Sequence, residues 1–331
     1  MKLVIGFITY NNSTVPYLPY FLVSLKEALD FSGINSYQVC YVDNSDPDNA
    51  ENKKIIEQFQ LENSLNIKKI DNSSNLGFAA AYNKMIDYAV DIDAEYFMVI
   101  NPDTVLTKES IWLLLEPLIT DKTISATIPR LMMWNFEMIC RNNKIDSLGI
   151  ARKKGLKFYD ICQGEEYVDD DKECKYKTNY NALAPSGAAG LFRISDLKKI
   201  AEEIGGRKQY YDERFFMYKE DCDLAYRMSQ NSLKSYLVLE SIIFHDRTTR
   251  KNGSKLFDVF VSRKNKSRQA KKWSFRNQHF IFIKHFKQET FLSKILVVGK
   301  ILAMFIFSLI LEQYLLKEYK NIYQFYKNSK K

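Results

Sequence analysis

Apolar residues in the first hundred positions fall alternately into short unbroken runs and helically spaced sets. "KLVIGFIT" reads as a strand covered on both faces, and "LPYFLVSLKEALDF" carries its apolar side chains at helical intervals. "YQVCYVD" is a second strand, "NKKIIEQFQLE" a helix, "NIKKI" a short third strand, "GFAAAYNKMIDYAV" a helix and "AEYFMVI" a fourth strand. This alternation predicts an α/β fold with a largely parallel sheet. Polar residues gather just past each strand: Thr9, Tyr10 and Asn11, then Asp43, Asn44 and Ser45, then Asp71 to Asn75, then Asn101, Pro102 and Asp103. The carboxyl edge of such a sheet forms a ligand crevice, so the topology brings four polar patches to one place.

The pattern changes further along. "MMWNFEMICRNNKIDSLG" and "ARKKGLKFYD" predict hairpin strands, and "GEEYVDDDKECKYKTN" a solvated acidic loop. "NALAPSGAAGLFRIS" reads as a buried strand whose small residues permit close backbone approach. "SDLKKIAEEIG" predicts a helix with Ser195 as N-cap and Gly205 as its stop. In "YYDERFFMYKEDCDLAYRMSQ", Asp212, Glu213, Glu220, Asp221 and Asp223 sit among Phe215, Phe216 and Tyr218 at the start of a helical pattern. Charge in such company requires a proton, a metal or a cationic partner. "SYLVLESIIFH" supplies one or two more strands ending at His245, residues 251–290 read as basic and helical, and 295–311 form a mostly apolar run broken by Lys300.

At 331 residues the chain accommodates one large domain with an appendage, or two domains, and 46% hydrophobic residues suffice for a packed core. Five cysteines without a CxxC fit a reducing compartment. The opening apolar run is too short for an export signal and reads as a strand. Residues 246–331 hold 20 Lys or Arg against 5 Asp or Glu (net +15), while the first 245 hold 28 against 35 (net −7). The basic character is thus a C-terminal property that suits an anionic membrane surface or nucleic acid, with a solvated Lys-rich face as the plain alternative. "KKWSFRNQHFIFIKHF" interleaves basic and aromatic residues as single-strand binders do. The apolar run after it favours a membrane surface over nucleic acid; at seventeen residues it is short for a span and suits an interfacial helix, a core helix or a dimerisation helix.

No GxGxxG follows the first strand, no GxxxxGK[ST] occurs, and three histidines leave little for a zinc site. Carboxylate chemistry with an oxygen-liking divalent cation remains. Asp103 follows a buried strand in "VINPDT", where it can ligate Mg²⁺ or Mn²⁺ or simply cap a helix; His245 after "SIIFH" can add a ligand or be structural. Asp221 shares a helical face with Leu224, Ala225 and Met228, which suits a general base or a capping residue, and Asp223 and Arg227 are spaced to pair on the surface or to orient the site.

Seven stretches in order, "VIGFITYNN", "VDNSD", "NLGFAAAYN", "INPDT", "PSGAAGLFR", "DERFFMYKEDCDLAYRM" and "IIFHD", make the sequence resemble the family 2 glycosyltransferases, specifically the rhamnosyltransferase-like enzymes of bacterial polysaccharide assembly. The resemblance implies a GT-A fold over 1–246, with a nucleotide-sugar half (1–105) and an acceptor half (106–246); the basic, apolar helical region that follows (247–331) is expected, from its charge and apolar run, to associate with the inner face of the cytoplasmic membrane. It implies an inverting, metal-dependent transferase using Mg²⁺ or Mn²⁺. The donor expected first is dTDP-rhamnose, then a UDP-hexose, a UDP-N-acetylhexosamine or UDP-galactofuranose; the acceptor is a surface glycan or lipid-linked saccharide. By the same resemblance Thr9, Tyr10, Asn11, Asp43, Asn75, Gly77 and Asn101 line the nucleotide, Gly187 and Ala188 the donor sugar, and Asp103 and His245 the metal and diphosphate. Asp221 is the base, with Glu220 as a sugar or acceptor contact. The acidic motif reads Asn-Pro-Asp here, so its first acid is missing. An inactive glycan-binding protein of the same fold is the non-enzymatic alternative, and a homo-oligomer is left open.

Overall fold

A computed structural model of the chain describes residues 2–136, 140–168, 182–247 and 267–329. The N-terminal half is the expected alternation: β1 (Leu3–Thr9), α1 (Asn11–Thr14), α2 (Leu18–Ser32), β2 (Tyr37–Asp43), α3 (Glu51–Asn63), β3 (Ile67–Lys69), α4 (Gly77–Asp91), β4 (Tyr96–Ile100), β5 (Thr104–Leu106) and α5 (Ser110–Thr120). There follow β6 (Ile124–Asn135), β7 (Cys140–Ser147), β8 (Ile150–Lys153), β9 (Lys157–Asp160), β10 (Ala189–Arg193), α6 (Ile194–Ile200), β11 (Glu202–Ile204), β12 (Arg207–Gln209), α7 (Glu220–Gln230) and β13 (Lys234–His245). Three helices close the described chain: α8 (Arg268–His285), α9 (Phe291–Ile310) and α10 (Glu318–Asn328).

The central sheet runs β3-β2-β1-β4-β10-β6-β13-β5, with β7 paired to β6. β1 to β4 are parallel, and β6 and β13 are parallel; β10 enters antiparallel between the two sets. It is the mostly parallel, helix-flanked sheet that the apolar runs predict: Leu3, Val4, Ile5 and Phe7 are fully buried because both faces are covered. One core holds α2, α3 and α5 against the sheet, with Phe21, Ile56 and Leu114 among its members. The core on the opposite face joins α4 and α7 to the C-terminal helices through Tyr82, Phe215, Phe280 and Phe325. Phe280 and Phe325 stack with ring centroids 3.8 Å apart, so α8 and α10 are packed into this core rather than tethered beside it.

Several sequence expectations are revised. Only Ala189–Arg193 of "NALAPSGAAGLFRIS" is strand; Pro185 to Ala188 form a loop at the sheet's carboxyl edge. The helix expected from Ser195 to Gly205 stops at Ile200, its N-cap is Arg193, and Glu202–Ile204 turn back at Gly205–Gly206 to pair with Arg207–Gln209. Leu197 and Ile200 bury one face of that short helix, and the Gly-Gly pair then makes a hairpin turn, so the turn chemistry overrides the helical spacing. All but Leu311 of the seventeen-residue apolar run lies in a twenty-residue helix, α9, whose length and composition suffice to cross a bilayer. Residues 251–266 and most of the acidic loop (169–181) lie outside the described residues.

Candidate active site

The site is assembled at the carboxyl ends of β1, β2, β4 and β13. Thr9 and Asp43 end neighbouring parallel strands in direct register, and Thr9 Oγ1 donates to Asp43 Oδ1 at 2.9 Å. The Asn11 backbone N–H donates to Ser45 Oγ (2.7 Å), and the Asn11 side chain exchanges hydrogen bonds with Asp46. Asn52, which the sequence reading passed over, is buried and holds both sides of this corner through the Asn11 carbonyl and Ser45 Oγ. Tyr10 projects from the rim and is 43% exposed.

The next corner is a glycine turn. Asn75 Oδ1 accepts from the Gly77 N–H at 2.9 Å, and Asn44 Nδ2 donates to the Gly77 carbonyl at 3.1 Å. Gly77 has φ of +70°, and a Cβ there would come within 2.4 Å of the Phe216 carbonyl oxygen, so both conformation and space demand glycine. The Phe78 N–H donates to that same carbonyl at 2.7 Å. The Asn75–Gly77 turn is thereby tied to the segment that leads into the acidic pair.

That segment is held in an unusual conformation. Phe216, Tyr218 and Lys219 all have positive φ (64°, 72° and 76°), an arrangement that persists in non-glycine residues only where surrounding contacts enforce it. The enforcing contacts come from α8. Asn277 is fully buried, and its Nδ2 lies 2.7–2.8 Å from the carbonyl oxygens of Phe215, Met217 and Tyr218. The Trp273 ring packs 5.0 Å from that of Phe216. Sequence reasoning placed α8 outside the site; an asparagine in a basic-aromatic helix carries no local signal of this role.

The bent segment delivers Glu220 and Asp221 at the first turn of α7. Asp221 Oδ1 accepts from the Cys222 N–H (2.7 Å), and Oδ2 from the Gly187 N–H (3.3 Å). Gly187 in turn lies against Phe78. Glu220 is buried, and its Oε2 has no hydrogen-bond partner among the described residues. Burial first, and then the neighbouring Asp221 charge, push the Glu220 carboxyl well above the usual carboxylate range.

Asp223 is not the surface partner that its spacing with Arg227 allowed. It is fully buried and meets Arg227 (3.0 Å), Lys284 (2.9 Å) and His285 (2.8 Å). Burial alone would raise its pKa; Lys284, Arg227 and His285 reverse the effect and hold it well below the ordinary range. Asp212 joins the same cluster through Lys284 at 2.9 Å and Arg214 at 2.7 Å. These ion pairs bind α7 to α8.

The remaining corner follows β4 and β13. The Asn101 N–H donates to the Ala188 carbonyl at 2.8 Å, next to Gly187. Asp103 accepts at its carbonyl from the Asp246 N–H (3.0 Å), and Tyr17 Oη donates to the Asp246 carboxylate at 3.0 Å, which returns the rim to the N-terminal loop. His245 Nε2 is 3.5 Å from Asp103 Oδ1, while Nδ1 bonds Asp146 Oδ2 at 2.8 Å. Asp146, missed in the sequence because β7 reads as an ordinary hairpin strand, is buried and also held by Arg247. Burial disfavours the imidazolium, but the carboxylates of Asp103 and Asp146 outweigh it and lift the His245 pKa to about 10.

Asp103 Oδ1 is buried without a hydrogen-bond partner, and Asp146 occupies His245 Nδ1, so an oxygen and a ring nitrogen face each other across 3.5 Å. With the Nε2 proton displaced, this pair fits a divalent cation that takes its other ligands from phosphate and water. Among the described residues no cluster of three or more His, Cys, Asp or Glu could hold a metal by itself. A separate apolar groove of about 170 Å³, lined by Tyr20, Val105, Trp134, Arg141 and Phe244, contains none of the predicted site residues.

The chain matches Glycosyl transferase family 2 over residues 5–201, more than half its length. The match spans Thr9 to Ala188 and stops before Glu220, Asp221 and His245, whose association with the site rests on the contacts above. No curated protein matches the sequence. Among solved structures, the mannosyltransferase PcManGT from Pyrobaculum calidifontis, in complex with GDP-Man and Mn²⁺, is similar at 11% identity and a TM-score of 0.50, covering 97% of this chain and 73% of that one. TarS from S. aureus is similar at 14% identity and a TM-score of 0.48, covering 87% of this chain; this chain spans 44% of the TarS structure. At such identities the likeness concerns the fold.

Proposed function

The chain belongs to Glycosyl transferase family 2, and from that premise we propose that it transfers a sugar, with inversion, from a nucleotide-sugar donor to a hydroxyl of a glycan or lipid-linked saccharide. One observation carries the reading. Asn101–Ala188 and Gly187–Asp221 hydrogen bonds tie the strand ends at Asp103 and the helix start at Asp221 to the two successive residues of one loop. The donor is bounded on one side by Thr9, Tyr10, Asn11, Asp43, Asn75 and Gly77, and its diphosphate lies toward Asp103 and His245.

Asp221 takes the proton. Burial and its neighbour's charge push the Glu220 carboxyl upward and favour its protonated form, so it serves as a hydrogen-bond donor to sugar or acceptor rather than as the base. The Gly187 and Cys222 N–H groups fix the Asp221 carboxylate beside the small-residue loop. As the acceptor O–H bond breaks toward Asp221, its oxygen bonds to the anomeric carbon, and the bond from that carbon to the diphosphate oxygen breaks on the opposite face. Asp103 and His245 would hold a Mg²⁺ or Mn²⁺ ion, which supplies positive charge against the departing diphosphate. Asp146 fixes the His245 ring so that Nε2 faces that position.

The first donor on the panel is dTDP-rhamnose, from the motif likeness, with UDP-hexoses, UDP-N-acetylhexosamine, UDP-galactofuranose and GDP-mannose beside it; the last is the ligand of the Pyrobaculum neighbour. Protection from thermal unfolding by each nucleotide sugar, with and without Mg²⁺ or Mn²⁺, is the test. One donor is expected to protect and to be hydrolysed slowly, and Asp103→Ala to lose the cation-dependent part of that protection. Absence of protection by every nucleotide and nucleotide sugar would overturn the reading, and protection without turnover of any donor would favour an inactive glycan-binding protein of the same fold.

A further inference from the structure

α9 is apolar on two opposite faces, and the domain covers only one of them. Ser293, Val297 and Ser308 are buried, and Ile301, Met304 and Phe307 pack against the core; their spacing traces a single stripe along the helix. On the other side Ile295, Val298, Leu302, Ile306 and Leu309 form a second stripe, each at least 43% exposed. An apolar surface of this extent on a free monomer marks an interaction site.

The covered stripe is pinned by the β8–β9 hairpin. The Gly155 N–H donates to Ser293 Oγ at 2.7 Å, and Lys300 Nζ donates to the Gly155 carbonyl at 2.5 Å. Gly155 has φ of +76°, and a Cβ on it would lie 2.8 Å from Leu296 Cβ, so the hairpin tip is pressed directly onto the helix. Glu289, just before α9, adds contacts to Arg152 and Tyr226. The same tip carries Lys153, Lys154 and Lys157, all exposed. Lys300 has its pKa pulled below the ordinary value by burial and then by Lys157 and Lys219, so a basic cluster extends from the hairpin to the residue preceding Glu220.

Two features choose among occupants. The basic hairpin meets α9 at the partly exposed Leu296, on the flank between the two stripes, and together with the exposed stripe complements an anionic, amphipathic surface, whereas a second copy would set these lysines against their own kind. The covered stripe also rules out a crossing helix: threading α9 through a bilayer would carry the lysine-bearing hairpin and the Arg152–Glu289 pair into hydrocarbon. We propose that the exposed face of α9 and the tip of the β8–β9 hairpin together dock on an anionic lipid bilayer, with α9 lying in the headgroup plane. The bilayer then adjoins the start of α7, where a hydroxyl acceptor carried by a lipid would arrive.

Flotation of the purified full chain with vesicles of phosphatidylcholine alone, and with about 25% phosphatidylglycerol, tests the proposal. Binding is expected to the anionic vesicles, weakened on the order of 100-fold by combining K153E, K154E and K157E, as three lost lysine contacts and the added repulsion require. Combining L302S and I306S is expected to abolish the binding that survives raised salt. All five positions face solvent, and unchanged thermal unfolding verifies the variants. No preference for anionic vesicles, or binding indifferent to both sets of substitutions, overturns the proposal. So does a dimer that L302S and I306S convert to monomer without vesicle binding, which assigns the face to a second copy. Retention on single-stranded oligonucleotide without vesicle binding assigns it to nucleic acid. Donor protection measured without vesicles keeps this outcome separate from the catalytic reading.

Discussion

The two acidic corners of the site are built by different physics. Asp103 and His245 stand at the ends of adjacent sheet strands, where pairing fixes position: His245 is in register with Thr104 on one side and Met133 on the other. Glu220 and Asp221 stand at the end of a loop with three non-glycine residues at positive φ, which no ladder supports. Their support is Asn277 and Trp273 from α8, and a buried ion-pair cluster in which Lys284 and His285 of α8 hold Asp223 of α7. A strand end places a ligand-binding group rigidly and at little cost. A strained loop costs about 1–3 kcal/mol per residue in a sparsely populated conformation, and the packing around it must supply that.

The sharpest way to separate the corners is to remove each one's chemical group. Asp221→Asn keeps size and polarity but deletes the proton acceptor, so transfer should fall by about 10²–10⁴-fold while nucleotide protection persists. An unchanged transfer rate would move the base elsewhere. The contrast is with Asp103→Ala, which on the proposed reading should strike donor binding instead of the chemical step.

A smaller but still large effect is expected from the ion pairs that join α7 to α8. Asp223→Asn removes the carboxylate that Arg227, Lys284 and His285 share, leaving Lys284 with Asp212 and Glu202 and Arg227 with the more distant Glu202, a loss of at most about 3–5 kcal/mol by analogy with other broken buried pairs. The sign of its pH dependence is fixed. Asp223 has a folded pKa held well below its unfolded value, so its contribution is complete above the unfolded pKa of about 3.9 and is lost as pH falls through the folded one. The stability gap between parent and variant, measured by urea unfolding, should therefore be widest near neutrality and narrow in acid. A gap that stays constant to pH 3 would deny Asp223 its depressed pKa.

Legibility in the sequence follows the same division. β1 to β4 are apolar runs ended by polar residues, and period and punctuation together specify both strand and crevice; Thr9, Asp43, Asn101 and Asp103 could be placed from that alone. Asp221 could be placed on a helix but not oriented, because its orientation depends on Gly187 and on a bent segment without glycine to announce it. Asp146, Asn52 and Asn277 left no trace, since a buried polar side chain in a strand or helix is spelled like an exposed one until its partners are known. Asp223 shows the converse: four-residue spacing to Arg227 suggests a surface pair, and only the neighbouring lysine and histidine, more than sixty positions away, reveal a buried cluster.

The mildest substitution tests the comparison most directly. Asn277→Ala removes the amide that faces the carbonyls of Phe215, Met217 and Tyr218 and leaves at least one of them buried and unpaired, at a cost of about 1–3 kcal/mol. If Asn277 only stabilises the fold, the variant should lose a few degrees of thermal stability and keep its kinetics below that temperature. If it holds the strained loop, kcat should fall several-fold more than KM changes, because Asp221 loses its place while Asp103, His245 and the nucleotide corner keep theirs. Steady-state kinetics well below the unfolding transition distinguish the two, and an unaltered kcat would reduce α8 to a structural support with no hold on the reacting carboxylate.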